Sequence, residues 1–171
     1  SELIDNKLVT FGFKKYMLVE FPVISFPPGY KEELFSLDLK GITPIIAHPE
    51  RYREIHENIE ILKFFYDKGY LIQLDAGSIL GDFGIKVMEC ANKIVSKGYF
   101  HLIGSDAHNN SNRNFCLDRV ANLNNSIISN NFDTIFFHNP SKVLRGEKLS
   151  SIVIPKKHGM IGRIKNFLSR E

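Results

Sequence analysis

Thr43-Pro44-Ile45-Ile46-Ala47-His48-Pro49-Glu50-Arg51 is the stretch that decides the fold. A short, mostly apolar run ends abruptly in an imidazole, a proline and two charges. A run of that length bounded by polar residues reads as a buried strand rather than a helix, so His48 stands at the strand's C-terminal end. The same arrangement recurs on either side. Tyr16-Met17-Leu18-Val19 ends in Glu20 and Tyr70-Leu71-Ile72-Gln73-Leu74 ends in Asp75. Phe100-His101-Leu102-Ile103-Gly104 runs through Ser105 to Asp106. Between these runs, residues 32–39, 59–66 and 85–95 carry apolar side chains at three- and four-residue spacing, which predicts amphipathic helices. Gly41, Gly69 and Gly98 follow them where helix C-caps belong. Strands alternating with helices predict an α/β fold with a parallel sheet or barrel.

Glu20, His48, Asp75 and Asp106 are spaced 28, 27 and 31 residues apart. Each interval is the length of one strand–helix unit, which gathers all four at the C-terminal rim of one sheet, where α/β folds build their active sites. Glu, His and Asp together make a mixed nitrogen–oxygen donor set suited to Zn²⁺, Mn²⁺ or Fe²⁺. His108 joins them, because in Ser105-Asp106-Ala107-His108-Asn109 an Asp and a His two apart can turn into one pocket. Taken singly, Glu20 could cap a helix and His48 could be a hydrogen-bonded core histidine. Four such groups at one rim favour a metal centre of Glu20, His48, Asp106 and His108, with Asp75 kept as structural. Arg51 and Arg113 lie just beyond these ligands, and an arginine fork beside a metal suits phosphate. Glu50 is expected to orient Arg51, and Arg113 could equally be a surface residue of its loop.

The chain has 171 residues, of which 43% are hydrophobic and 24% charged, with a net charge of +3. That balance gives one globular domain, residues 1–154, and no case for nucleic acid. A basic tail follows at 155–171. Its Met160, Ile161, Ile164, Phe167 and Leu168 recur at helical spacing, which would suit weak contact with a membrane surface. No apolar run approaches a membrane span, the start lacks signal-peptide features, and Cys90 and Cys116 form no disulfide framework, so the expected compartment is the cytoplasm. Neither cysteine opens a Cys-x5-Arg loop, and there is no GxxxxGK[ST], GxGxxG or GxSxG segment. The Asn-rich residues 109–114 read as a loop, residues 117–129 as a helix, and Asn139-Pro140 as the N-cap and first turn of a last short helix. Of the other histidines, His56 and His158 are expected to be exposed and His138 structural, while His101 could face either way.

In combination, Tyr16-Met17-Leu18-Val19-Glu20-Phe21, Pro44 through Tyr52, Gln73 with Gly77-Ser78 and Gly81, and Gly104 through Asn109 resemble the PHP-type (polymerase and histidinol phosphatase) protein-tyrosine phosphatases of bacterial capsule and exopolysaccharide synthesis. The resemblance covers about residues 8–146. It implies the C-terminal part of a distorted barrel of seven strand–helix units built around up to three divalent metals, Mn first, with Fe or Zn as options. On it, Glu20, His48, Asp106 and His108 fall on metal ligands, and Arg51 and Arg113 on arginines that handle phosphate. It further implies a metal-generated hydroxide attacking phosphorus without a phosphocysteine. The implied substrate is phosphotyrosine on the tail of a capsule-regulating tyrosine kinase. The His-x-His start of such proteins, and the Asp and His that follow it, have no counterpart before Glu20. Four strands would leave an uncovered edge and an incomplete pocket, which predicts homo-oligomer formation or weak stability. Two other readings stand beside this one. The first is a catalytically inactive binding module of the same fold, and the second a phosphatase of small phosphate esters.

Overall fold

A computed structural model of the chain describes residues 9–109 and 114–155. Its centre is a five-stranded sheet in the order β1 (Thr10–Phe11), β2 (Tyr16–Val19), β3 (Thr43–Ala47), β4 (Leu71–Asp75) and β5 (Leu102–Gly104). β2 to β5 are parallel and stand in chain order. That order distinguishes a curled, barrel-type sheet from a doubly wound one, where strand order reverses at a switch point. The crossovers carry α1 (Tyr30–Leu39), α2 (Arg53–Glu57) with α3 (Glu60–Asp67), and α4 (Ala76–Leu80) with α5 (Ile85–Lys97).

Alternation along the strands sorts the core into two faces. Ile46, Ile72, Leu74 and Ile103 point to the helices, where they meet Leu34, Leu62, Phe65, Ala91 and Ile94. Each aliphatic or aromatic side chain fully buried in this way contributes roughly 1.5–3 kcal/mol. The opposite face carries Tyr16, Ile45, Leu71 and Leu102, covered at one end by Val143 of α8 (Asn139–Leu144). Beside Val143 an apolar groove of about 290 Å³ runs over Leu18, Ile45 and Leu102, so this inner face is only partly filled.

Five expectations are corrected. The sheet has a fifth strand beyond the four expected, because β1 pairs antiparallel with β2 through the Gly12–Lys15 turn, and two residues are too few to show a period. Gly12, at φ +56°, packs so tightly that a Cβ there would lie 2.2 Å from the Val143 carbonyl oxygen. The helix expected over residues 117–129 is two, α6 (Leu117–Ala121) and α7 (Ser126–Asn130). Asn125 starts the second by accepting from the amides of Ile127 and Ile128, a cap that competes with a continuous helix. Asn139 is not an N-cap, because one turn of π-helix at Thr134–His138 already runs into α8. Its side chain instead donates to the His101 and Ser150 carbonyls and accepts from the Ser150 amide. His56 is half-buried rather than exposed, with Nε2 2.5 Å from the Glu50 carbonyl oxygen. His138, expected to be structural, is instead exposed, and His101 is buried. Arg113 and the tail from residue 156, His158 included, lie outside the described residues.

Candidate metal centre

The strand ends do converge. The His48 amide donates to the Gln73 carbonyl at 2.8 Å, which extends the β3–β4 ladder to the rim. The Tyr52 hydroxyl donates to the Ala47 carbonyl at 2.6 Å and accepts from the Phe21 amide at 3.0 Å. One buried phenol thereby ties the residue after Glu20 to the residue before His48. Glu20 Oε1 then lies 3.1 Å from His48 Nε2, with the carboxylate largely exposed and the imidazole 4% exposed.

At the same rim, Asp106 Oδ2 accepts from Arg51 Nη1 at 2.8 Å, and Asp75 Oδ2 is 3.5 Å from the same nitrogen. His108 Nδ1 sits 2.7 Å from the Asp106 carbonyl oxygen and 3.9 Å from Asp106 Oδ1. Asp75 has the structural role expected of it, capping α4 through the Gly77 amide at 2.8 Å, and it also faces Arg51. The predicted ligands therefore come together as two pairs, Glu20 with His48 and Asp106 with His108. Among the described residues no three His, Cys, Asp or Glu side chains form one metal-holding cluster.

Two features mark the rim as more than a strand terminus. His48 and Asp106 hold φ of +32° and +45°, a left-handed conformation that ordinary residues rarely keep. Such strain costs on the order of 1–3 kcal/mol per residue and concentrates at functional sites. Burial, with the Arg51 charge beside it, pushes the His48 imidazole below its usual pKa, against the opposing pull of Glu20 and Asp106. A neutral imidazole is the form that ligates metals. His48 Nδ1 is buried and has no hydrogen-bond partner among the described residues, an orphan that protein groups normally avoid. Mixed donors, with a neutral imidazole whose Nε2 faces the Glu20 carboxylate, fit a divalent ion.

Glu50 is the residue that sequence reasoning undervalued. It is fully buried, and its Oε1 accepts from the Asp75 amide at 2.9 Å. This bond fastens the 3₁₀ turn Pro49–Arg51 to the end of β4. Burial pushes its carboxyl up to about 7. Asp75, Ser105, Asp106, Phe83 and Phe115 line a small cleft of about 70 Å³ beside this turn. Neither phenylalanine carried a sequence signal, since each sits in a polar loop.

The chain matches the family model described as capsular polysaccharide synthesis, CpsB/CapC, over residues 1–145. It is 41% identical over 116 residues to the tyrosine-protein phosphatase YwqE of Bacillus subtilis, covering 67% of this chain and 45% of that protein. It is 37% identical over 122 residues to the putative tyrosine-protein phosphatase CapC of Staphylococcus aureus, covering 71% and 48%. The chain thus spans about half the length of the curated relatives it matches. Among solved structures, one from work on YwqE of Bacillus subtilis and CpsB of Streptococcus pneumoniae, described as unique metal-dependent tyrosine phosphatases, superposes with a TM-score of 0.69 at 29% identity. That match covers 86% of this chain and 59% of the other. With the family model, the curated relatives and the superposed structure in agreement, the chain belongs to the CpsB/CapC family of capsular polysaccharide synthesis.

Proposed function

We propose that this chain supplies half of the active-site rim of a metal-dependent protein-tyrosine phosphatase. Its substrate would be phosphotyrosine on a tyrosine kinase that regulates capsule synthesis. The observation that carries the reading is the pairing of Glu20 with buried His48 beside the Arg51–Asp106 pair. Glu20, His48, Asp106 and His108 would hold a divalent ion, Mn²⁺ first, with Fe²⁺ or Zn²⁺ as substitutes. Such an ion supplies Lewis acidity toward phosphoryl oxygens and water.

This chain's own contribution is orientation and charge. Arg51 keeps a fixed fork beside the ligand carboxylates, positioned to take non-bridging phosphoryl oxygens as negative charge shifts in the transition state. Arg113 is proposed as the second such arginine. Neither cysteine suits nucleophilic attack. Both are buried free thiols, and burial pushes Cys90 up to about 12 and raises Cys116, which keeps them protonated. Free thiols also agree with a reducing cytoplasm. Among the described residues no helix is long and apolar enough to cross a membrane.

His48→Ala and Asp106→Ala should each weaken retention of Mn²⁺ by at least roughly 10–100-fold, the loss typical of removing even supporting groups at a metal site. The measurement is metal content after dialysis, on variants with unchanged circular dichroism. Unaltered retention in both would remove the metal centre from the reading. Cys90→Ser and Cys116→Ser should leave the phosphatase rate unchanged, while a chelator abolishes it. A chelator-resistant, cysteine-dependent rate would mean a different mechanism.

A further inference from the structure

Arg51 is held on more than its edges. Nη1 meets the Asp106 and Asp75 carboxylates, and its guanidinium carbon lies over the Phe83 ring, 4.7 Å from the centroid. A flat cation on an aromatic face is attracted by the ring quadrupole, and the contact resists sliding out of plane. Carboxylates alone fix the edge of the fork and leave it free to tilt.

The ring is itself seated. A Cβ at Gly77 would lie 2.8 Å from Phe83 Cε2, so the first turn of α4 is cut away where the ring edge rests. Gly77 has no left-handed φ to demand glycine, which leaves this close approach as the reason for the residue. The turn bearing Phe83 is fastened twice through Asp82. The Asp82 amide donates to the Gly77 carbonyl at 2.9 Å, and Asp82 Oδ2 pairs with Arg119 of α6 at 3.2 Å. Gly77, Phe83 and Arg51 form a chain of contacts that ends on the guanidinium.

We propose that Phe83 is a positioning residue for Arg51, its ring holding the guanidinium plane in the orientation that receives a phosphoryl group. This rests on the reading that Arg51 handles phosphate, and it adds a residue that neither the metal centre nor the phosphate fork contains. The cation–ring contact makes a specific demand. An aromatic residue of any kind satisfies it, whereas an aliphatic residue of similar bulk fills the space without holding the cation.

The test compares Phe83→Tyr, Phe83→Leu and Gly77→Ala with the wild-type chain, pre-equilibrated with Zn²⁺. One readout is the Arg51 Nε–H resonance in ¹⁵N NMR, and the other is affinity for inorganic phosphate by calorimetry. In wild type and Phe83→Tyr the resonance should stay sharp and protected from exchange. In Phe83→Leu and Gly77→Ala it should broaden, and phosphate affinity should fall by roughly three- to tenfold, while bound Zn²⁺ is unchanged. A sharp, protected Arg51 signal in Phe83→Leu overturns the proposal, because packing alone would then suffice. Aromatic dependence of the signal in a wild-type chain that binds no phosphate would uphold the positioning role and sink the phosphate reading instead.

Discussion

The chain by itself should dephosphorylate a phosphotyrosine peptide at least about 100-fold more slowly than the same chain joined to the N-terminal half of YwqE, both at saturating Mn²⁺. The expectation follows from how the rim is populated. Its donors stand in two pairs, and among the described residues no third carboxylate or imidazole completes either. Asp106 already spends an oxygen on Arg51, so an ion held there competes with a charge-assisted hydrogen bond. With so few protein donors an ion would be held loosely, and this chain's residues alone would not fix a reacting water in line with phosphorus. Misplacement by ~1 Å costs on the order of 100-fold in rate. Phosphate binding through Arg51 should outlast turnover, because the fork is already fixed by two carboxylates and a ring. The measurement is phosphate release from the peptide by each protein under identical metal. Equal rates would mean that the four proposed ligands suffice for turnover.

What could be read from the sequence were the places where two signals coincide. At Ala47–His48 and Val19–Glu20 an apolar run meets a ligand type, and the strand ends fall there to the residue. α3 and α5 were legible because amphipathic spacing over two to four turns ends in a glycine, whereas α1 is marked chiefly by the glycine after it, since its Phe35 and Leu39 are exposed and its apolar residues do not keep to one face. What stayed hidden depends on contacts between distant segments. Asn139 beside a proline looks like a cap, yet it bridges His101 and Ser150, and nothing local announces partners 38 and 11 residues away. Phe83 lies in Gly81-Asp82-Phe83-Gly84, a stretch that reads only as a turn. Its value comes from Arg51, far off in sequence. Glu50 could be seen beside Arg51, but its burial and its bond to the Asp75 amide depend on the β3–β4 pairing. The left-handed backbone at His48 and Asp106 had no sequence signal either, since strain there is imposed by the surrounding rim.

Between pH 7 and pH 5, replacing His101 by Gln should spare the fold roughly 2 kcal/mol of acid destabilisation. His101 is 9% exposed, with Tyr66 stacked on its ring at 5.2 Å. Its Nδ1 accepts from the Ile72 amide at 3.2 Å. That bond requires a bare nitrogen, so the proton of the neutral ring sits on Nε2, and a second proton would point at an N–H donor. Burial accordingly pushes the imidazole down to about 4 from an ordinary 6.5. The sign follows directly. Above pH 6.5 both folded and unfolded chains carry a neutral His101, and it contributes no pH dependence. Below pH 6.5 the unfolded chain takes the proton and the folded chain does not, so stability falls by up to about 1.4 kcal/mol per pH unit until pH 4. Glu50 acts in the opposite sense. Its carboxyl, pushed up to about 7 by burial, binds a proton in the folded chain before the unfolded chain does, and stability from that source rises as pH falls toward 4.5. The wild-type profile alone would therefore blur the two effects. Gln at position 101 can still accept the Ile72 amide through its carbonyl oxygen but does not titrate, while Glu50 and every other carboxylate are common to both proteins. Urea unfolding of each at pH 7 and pH 5 isolates the histidine. Parallel losses in wild type and His101→Gln would show that the folded chain admits the proton, and that the Nδ1–amide bond yields more easily than its burial implies.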